Sequence, residues 1–124
     1  IIRSTTLIIF SRHTETPSEA IHACKELTIL AESEKAGVFL AIAEEGKKIF
    51  VAGHPEYDRY TLNNEYHRDL DKGLPIQIPS NYYPNDDPEQ RPLLQWRSHC
   101  NNLYSNWLNY YVYQATPYDL AQIR

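Results

Sequence analysis

Two apolar segments joined by a short charged turn restrict the folds open to this chain more than any other feature of its sequence. The first covers residues 38–43, the second covers residues 48–52, and Glu44-Glu45-Gly46-Lys47 lies between them. Short continuous apolar runs are typical of buried strands. A turn that places glycine where a positive φ is expected is typical of a hairpin. The sequence therefore predicts two consecutive strands, and the second one ends at Gly53.

Three further segments precede this hairpin. Residues 5–10 are β-branched and apolar and predict a strand, and residues 28–31 form a second apolar run. The polar stretch at 19–25 fits either a short helix or a loop. Strands and helices therefore both occur in the first half of the chain, and we expect an α/β fold class.

The second half is predicted to be helical around an irregular middle. A helix of about a dozen residues is expected after the hairpin, with Asp58 or Thr61 as its cap and Gly73 at its end. Residues 74–95 contain five of the eight prolines, so they cannot form a regular element. A last helix is predicted from about Trp96 to Gln114. Its apolar stripe, of a kind typical of a core or a subunit interface, is Leu103, Trp107, Tyr110 and Tyr111.

Composition and charge argue against several classes of protein. The formal net charge is −4 and no basic cluster is longer than Lys47-Lys48, which argues against a nucleic-acid surface. No apolar run approaches the ~20 residues that a membrane helix needs. Two cysteines, Cys24 and Cys100, do not make a secreted disulfide framework, so a cytoplasmic location is expected.

The segment Gly53-His54-Pro55-Glu56 is the strongest candidate for chemistry. In α/β folds, ligands bind beyond the carboxyl ends of the strands, and His54 directly follows a predicted buried strand. Glu56 could accept a hydrogen bond from one imidazole nitrogen and leave the other nitrogen to act as a base. The same residues also fit a structural turn with an exposed glutamate, and local chemistry alone leaves both interpretations open.

Other candidates have equally simple structural interpretations. Arg68 could bind a carboxylate in bidentate fashion, or it could belong to a surface charge cluster with Asp69 and Glu65. Ser11 follows a predicted strand and could line the same crevice, or it could be part of an ordinary turn. The five histidines show no metal-ligand spacing, so no metal site is expected. Cys24 and Cys100 do not occupy a strand-to-helix elbow and are interpreted as structural thiols.

Five segments of the second half together indicate a function more specifically than any of these residues alone. They are residues 53–59 (GHPEYDR), 64–69 (NEYHRD), 81–88 (NYYPNDDP), 96–99 (WRSH) and 106–114 (NWLNYYVYQ). In this order and at this approximate spacing they resemble the C-terminal region of the bacterial homoserine O-succinyltransferase and O-acetyltransferase family. Ser11-Arg12-His13-Thr14-Glu15 and the segment 30–33 extend the resemblance, which covers about residues 11–120.

This resemblance implies a fold and roles for four residues. The fold would be the C-terminal part of a flavodoxin-like, three-layer α/β fold related to class I glutamine amidotransferases, with a β-hairpin and a long C-terminal helix. Members use a Cys–His–Glu triad, so His54 would be the general base and Glu56 its orienting carboxylate. Arg68 would hold the carboxylate of the substrate, and Ser11 would line the substrate pocket.

The resemblance also implies a reaction and its partners. A cysteine takes a succinyl or acetyl group from the corresponding acyl-CoA, and the hydroxyl of L-homoserine then attacks the thioester in a ping-pong mechanism. This reaction is a step of methionine biosynthesis. Acyl-CoA is a co-substrate, no further cofactor is expected, and the intact enzyme is expected to be a homodimer in the cytoplasm.

The chain departs from the family in three respects. The family's nucleophile belongs to an upstream segment that has no counterpart here, and the family enzymes are more than twice as long. We therefore expect residues 1–124 to be the C-terminal portion of a single acyltransferase domain. Residues 1–10 match the family poorly and are interpreted as a leader, and the missing methionine indicates that Ile1 is not a natural start.

Two other functions remain open at the level of sequence. A glutamine-hydrolysing amidotransferase domain would share the His-x-Glu pair, although it would not explain the segment rich in tyrosine and tryptophan. A second possibility is an inactive fragment or an interaction module that associates through its aromatic helix. The absence of the family nucleophile indicates that the 124-residue chain by itself does not turn over substrate.

Overall fold

The computed structural model describes residues 8–11, 14, 16–114 and 119–122. Within these ranges the chain forms a three-stranded sheet and three α-helices, with short turns of 3₁₀-helix between them. A π-helical segment, Trp107–Val112, directly continues the last α-helix. In chain order the elements are α1 (Ser18–Ala23), β1 (Thr28–Ser33), β2 (Gly37–Ala43), β3 (Lys48–Val51), α2 (Thr61–Asp71) and α3 (Arg97–Asn106).

The predicted hairpin is confirmed, and the apolar run at 28–31 adds a strand on its other side. The sheet has the order β1-β2-β3, and both neighbouring pairs are antiparallel. Leu40 lies opposite Val51, which sets the register between β2 and β3. The β1–β2 pairing is interrupted by a register shift between Ile29 and Ala31. The apolar run of β2 is explained by its central position, where Val38, Phe39 and Ala41 are buried.

The turn of the hairpin has the positive φ that its glycine predicts. Gly46 has φ +89°, and Glu44 and Glu45 before it also have positive φ. The Glu44 carboxylate forms an exposed ion pair with Lys48 at the start of β3. The ring of Tyr111 lies directly against the α-carbon of Gly46, so the last helical segment packs on this turn.

Asp58 rather than Thr61 is the capping residue of α2. Its Oδ1 accepts hydrogen bonds from the backbone N–H groups of Tyr60 (2.7 Å) and Thr61 (2.9 Å). These are donors that a helix leaves unsatisfied at its start. The helix ends as predicted at Gly73, whose N–H bonds the Leu70 carbonyl while the next N–H reaches the carbonyl of Asp69. This pair of bonds is a Schellman motif, which requires the positive φ that Gly73 adopts.

The proline-rich segment forms no regular element beyond a 3₁₀ turn at Pro84–Asp86, and it covers α2. The Tyr82 hydroxyl accepts a hydrogen bond from the N–H of Asn63 on α2. Tyr83 is 1% exposed, and its hydroxyl donates to the Asn63 side chain. The buried cluster between these layers consists of Ile9, Leu62, Tyr66, Tyr82, Tyr83 and Trp96.

The strand predicted at residues 5–10 is not formed where the structure describes it. Residues 5–7 lie outside the described residues, and residues 8–10 are assigned to no strand. The carbonyl of Ile9 accepts a hydrogen bond from the N–H of His54, just beyond the end of β3. Ile9 is nevertheless buried, and Phe10 packs edge-to-face on Phe39 of β2.

The last helix is confirmed, but its predicted apolar stripe is only partly correct. Leu103 and Tyr111 are partly buried, whereas Trp107 and Tyr110 are largely exposed. A π-helix begins at Trp107, and its wider turn changes the 3.6-residue spacing for the residues that follow, Tyr110 among them. A place in the core is therefore wrong for Trp107 and Tyr110, and a place in a subunit interface stays a prediction.

The fold class is α/β, as predicted from the sequence. Within the described part of the chain, no helix has both the length and the apolar character needed to cross a lipid bilayer. The elements that matter for the site are the end of β3, the start of α2 and the short segment at residues 8–11. Buried side chains from the segment at residues 8–11 and from α2 pack in one cluster.

Replacement of Gly46 by alanine is expected to destabilise the chain more than the same change at Gly73. Both glycines have positive φ, which costs alanine about 1–2 kcal/mol. At Gly46 the new methyl group would also overlap the Tyr111 ring, at a further cost of about 1–3 kcal/mol, whereas the space beside Gly73 is open. Urea unfolding of both variants measures the difference, and equal losses would contradict the packing of Tyr111 on this turn.

Candidate functional site

His54 is held at the end of β3 by its backbone. The N–H of Ala52 donates to the carbonyl of Phe39 (2.8 Å), which extends the β2–β3 pairing by one residue. The N–H of His54 then donates to the carbonyl of Ile9 (2.7 Å). A side chain at Gly53 would bring its Cβ within 2.8 Å of that same carbonyl oxygen, so glycine permits the close approach. The segment at residues 8–11 therefore fixes the backbone position from which the His54 side chain extends.

The side chains of His54 and Glu56 form the pair expected from the sequence. Nδ1 of the imidazole lies 2.9 Å from Oε1 of Glu56. The His54 side chain is 35% exposed and that of Glu56 is 53% exposed, so a reactant can approach the imidazole. Because a carboxylate only accepts hydrogen bonds, Nδ1 carries the proton of this pair and Nε2 is the nitrogen that can take a proton.

Tyr57 fixes the plane of the same imidazole. Its ring stacks on that of His54, with the ring centroids 4.3 Å apart and the planes inclined by 17°. The indole N–H of buried Trp96 donates to the backbone carbonyl of Tyr57 (2.9 Å). The Tyr57 hydroxyl donates to Oε1 of Glu65 on α2 (2.7 Å). Tyr57 is therefore held at both ends, and one face of its ring covers His54.

Glu65 connects this pair to Ser11. The hydroxyl of Ser11 donates to Oε2 of Glu65 at 2.6 Å, while the other carboxylate oxygen receives the Tyr57 hydroxyl. Burial and, after it, the hydrogen bond to Glu65 raise the pKa of Tyr57 to about 12. Tyr57 thus stays a neutral donor at any physiological pH, and Glu65 accepts a hydrogen bond at each oxygen.

Arg68 lies one turn after Glu65 on the same helix. Its Nε and Nη2 donate to the two carboxylate oxygens of Asp69, at 2.8 and 3.0 Å. This contact with Asp69 raises the pKa of Arg68, so the guanidinium is a fixed positive charge. Asp69 is buried and Arg68 is half exposed. The bidentate contact predicted for Arg68 exists, with Asp69 as the acceptor, and the Nη1 side of the guanidinium lies away from that contact.

A small depression lies beside these residues. It has a volume of about 250 Å³, and its polar lining includes Ser11, Glu65 and Asp69. Phe10 and Leu62 contribute apolar walls. Sites that enclose drug-sized ligands measure roughly 300–1,000 Å³, so this depression suits a smaller molecule.

Cys100 lies in a second depression, on the other side of Glu56. This depression has a volume of about 440 Å³, and Trp96 and Arg97 also line it. Burial and, after it, the negative charge of Glu56 raise the pKa of the Cys100 thiol. A thiol nucleophile needs the opposite shift, because the thiolate is the reactive form. Cys24 donates its thiol proton to Glu26 (3.3 Å) on the surface. The raised pKa of Cys100 is therefore the opposite of what activates a thiol nucleophile.

The structure thus brings together the four residues predicted to form the site. Ser11 and the His54–Glu56 pair are joined through Tyr57 and Glu65, and Arg68 follows on α2. Sequence reasoning missed Tyr57 and Glu65, although the position of Glu65 three residues before Arg68 places both on one helix face. Arg12 and His13, which follow Ser11 in the sequence, lie outside the described residues. Over the ranges that the structure describes, no three histidine, cysteine, aspartate or glutamate side chains are placed to hold a metal ion.

Comparison with known proteins identifies the family of this chain. The family model described as homoserine O-succinyltransferase matches residues 2–118. The homoserine O-acetyltransferase of Agathobacter rectalis is 67% identical over 114 residues, which cover 92% of this chain and 37% of that protein. The homoserine O-acetyltransferase of Lachnoclostridium phytofermentans is 66% identical over 110 residues, which cover 89% of this chain and 36% of the relative. The chain belongs to the homoserine O-succinyltransferase family, as its resemblance implied, and spans 36–37% of the length of these curated relatives.

Titration of Tyr57 tests the contact on which this arrangement depends. Replacement of Glu65 by glutamine removes the negative charge that lies beside the Tyr57 hydroxyl. The pKa of Tyr57 should therefore fall from about 12 toward 10. Tyr83 is the internal control, because burial and neighbouring tyrosines raise its pKa to about 12 without a carboxylate among the causes. Tyrosine ring NMR resolves the two residues, and an unchanged Tyr57 pKa would contradict the contact.

The same shift makes a contribution to stability that depends on pH. Because the folded state raises the pKa of Tyr57, folding favours the protonated phenol. The contribution is fully present below pH 10 and is lost as pH rises from about 10 through about 12. Chemical unfolding at pH 9 to 12 should show a smaller alkaline loss of stability in the Glu65→Gln variant than in the unchanged chain.

Proposed function

We propose that this chain supplies the general base and the substrate-binding side chains of a homoserine O-acyltransferase. The observation that carries the proposal is the contact between Nδ1 of His54 and Glu56, joined through Tyr57 and Glu65 to Ser11. Membership of the homoserine O-succinyltransferase family supports the same chemistry. The names of the relatives favour acetyl-CoA as the acyl donor, and succinyl-CoA is the alternative.

In the proposed first half-reaction, a cysteine thiolate from the part of the family protein that this chain does not cover attacks the carbonyl carbon of the acyl-CoA. His54 has first taken the proton of this cysteine thiol on Nε2, and when the carbon–sulfur bond to CoA breaks it gives that proton to the leaving thiolate. The product is an acyl-cysteine thioester. Such covalent catalysis divides one difficult transfer into two easier steps. The raised pKa of Cys100 supports a nucleophile that lies elsewhere.

In the second half-reaction, the hydroxyl of homoserine attacks the thioester carbonyl. Nε2 of His54 takes the hydroxyl proton, the ester bond forms, and the cysteine leaves as a thiolate. Glu56 stabilises the imidazolium through Nδ1 and keeps Nε2 directed at the substrate. The exposure of the imidazole supports this role, because the hydroxyl must reach hydrogen-bonding distance of Nε2.

The proposed substrate pocket is the depression beside Ser11 and Glu65. Glu65 would bind the ammonium group of homoserine, since its two oxygens retain acceptor capacity after the contacts with Ser11 and Tyr57. Arg68 would bind the substrate carboxylate through its Nη1 side, while Asp69 holds its other edge. Glu65 and Arg68 lie one turn apart on α2, so their opposite charges would orient an α-amino acid bound between them.

Further expectations from the family belong to this proposal. We propose a flavodoxin-like arrangement for the whole protein, a cytoplasmic location and a homodimer. The exposed aromatic side chains of Trp107, Tyr110 and Tyr113 support an interface on the last helical segment. The chain by itself is proposed to release no CoA, and the raised pKa of Cys100 supports this.

The proposal is tested in a chimera in which this chain replaces the matching segment of the Agathobacter rectalis enzyme. His54→Ala should lower kcat by about 10³-fold or more, because the base for both half-reactions is lost. Glu56→Ala should lower kcat by about 10²–10⁴-fold. CoA release with acetyl-CoA and homoserine measures both effects.

A second histidine–glutamate pair in the chain gives a matched control. His22 and Glu32 lie 2.8 Å apart on the surface, so their contact resembles that of His54 and Glu56. His22→Ala in the same chimera should leave kcat within about twofold, as is usual for surface substitutions away from special features. Normal turnover in His54→Ala, or a folded but inactive unchanged chimera, would contradict the proposed function.

Arg68→Ala in the chimera tests the orientation of the substrate. Loss of a charged hydrogen bond to the substrate carboxylate should raise the KM for homoserine by about 10–100-fold, while the KM for the acyl-CoA stays unchanged. Arg97→Ala, which removes an exposed arginine on the Cys100 side of Glu56, is the control. An unchanged homoserine KM in Arg68→Ala would remove Arg68 from the pocket.

A further inference from the structure

We propose that Tyr57 is a positioning residue that couples the substrate pocket to the catalytic base. The inference rests on the proposed function and adds a residue to it. The ring of Tyr57 sets the plane of the His54 imidazole, and the hydroxyl of Tyr57 holds the Glu65 carboxylate. These two contacts lie at different parts of one side chain, so they can be separated by substitution.

The His54–Glu56 contact alone does not fix the imidazole. One hydrogen bond at Nδ1 restrains the distance to Glu56, but the ring can still turn about the line of that bond. Nε2 lies on the far side of the ring, where such a turn moves it away from a bound hydroxyl. A flat partner parallel to the imidazole removes this freedom, and Tyr57 provides one at 4.3 Å and 17°.

Tyr57 can act in this way because it is restrained itself. Its backbone carbonyl accepts from the indole N–H of Trp96, which is 5% exposed. Its hydroxyl is held by Glu65, which is held in turn by Ser11. The N–H of Tyr57 also donates to the carbonyl of His54 (3.4 Å). The ring is thus anchored to the core at one end and to α2 at the other, so it is a rigid support for a partly exposed imidazole.

The hydroxyl has a separate consequence for substrate binding. It occupies one oxygen of Glu65 and directs the carboxylate toward the depression that Ser11 also lines. Without the hydroxyl, Glu65 keeps only the Ser11 contact and can rotate, so an ammonium group meets a less ordered partner. The ring should therefore control kcat, and the hydroxyl should control the KM for homoserine.

Two substitutions in the Agathobacter rectalis chimera separate these effects. Tyr57→Leu removes the stacked ring and should lower kcat by about 10–100-fold, as expected when a catalytic group is displaced by about 1 Å. Tyr57→Phe keeps the ring, so kcat should stay within about threefold while the KM for homoserine rises by about 3–10-fold. Tyr60→Leu, at an exposed tyrosine three residues further on, is the control and should change neither constant.

A spectroscopic measurement on the same variants distinguishes positioning from stability. Nitrogen-15 NMR reports which imidazole nitrogen of His54 carries the proton, and Glu56 should keep it on Nδ1 in the unchanged chimera. Tyr57→Leu should leave the proton on Nδ1, because the contact with Glu56 remains, but nitrogen-15 relaxation should show a more mobile ring, whereas Tyr57→Phe should keep the original relaxation. A merely structural tyrosine would lower the unfolding midpoint without changing the mobility of the ring.

The results of these experiments distinguish a failure of this inference from a failure of the proposed function. If the unchanged chimera turns over and Tyr57→Leu retains full kcat with unaltered ring mobility of His54, the inference is wrong and the proposed function stands. Equal losses in Tyr57→Leu and Tyr57→Phe would also contradict it, since the ring would then have no role of its own. A folded, unchanged chimera without turnover would overturn the proposed function itself.

Discussion

The carboxylate of Glu65 is the interaction on which the rest of the site depends. It receives the Ser11 hydroxyl at one oxygen and the Tyr57 hydroxyl at the other, at 2.6 and 2.7 Å. It therefore joins the segment at residues 8–11, the loop after β3 and helix α2. Each hydrogen bond to a charged group contributes about 1.5–3 kcal/mol, which is enough to select one arrangement among the loops that follow β3.

The charges around this carboxylate are arranged in a fixed order. Asp69 holds Arg68 on one side of Glu65, and Glu56 holds His54 beyond the ring of Tyr57. In each pair one partner positions the other and leaves part of it accessible. Burial and Glu65 together keep Tyr57 protonated, so the central donor does not change with pH over the physiological range. The arrangement is suited to hold a zwitterion beside a base.

Local patterns were sufficient to predict the hairpin, the start and end of α2 and the His54–Glu56 pair, because each depends on neighbouring residues. The hydrogen bond between Ser11 and Glu65 could not be predicted in the same way, since the two residues are 54 positions apart. The bidentate partner of Arg68 was ambiguous for a related reason, because substrate and Asp69 offer the same chemistry. The π-helical segment changes the spacing of the residues after Trp107, and no periodicity in the sequence indicates that change.

We propose that this chain contributes the base and the substrate pocket, while the nucleophile belongs to another part of the family protein. The most direct test is mass spectrometry of the chimera after incubation with acetyl-CoA in the absence of homoserine. We predict one acetyl group on a cysteine of the Agathobacter rectalis segment, and its loss when homoserine is added. An acetyl group on Cys24 or Cys100, removed by homoserine in the same way, would contradict the account.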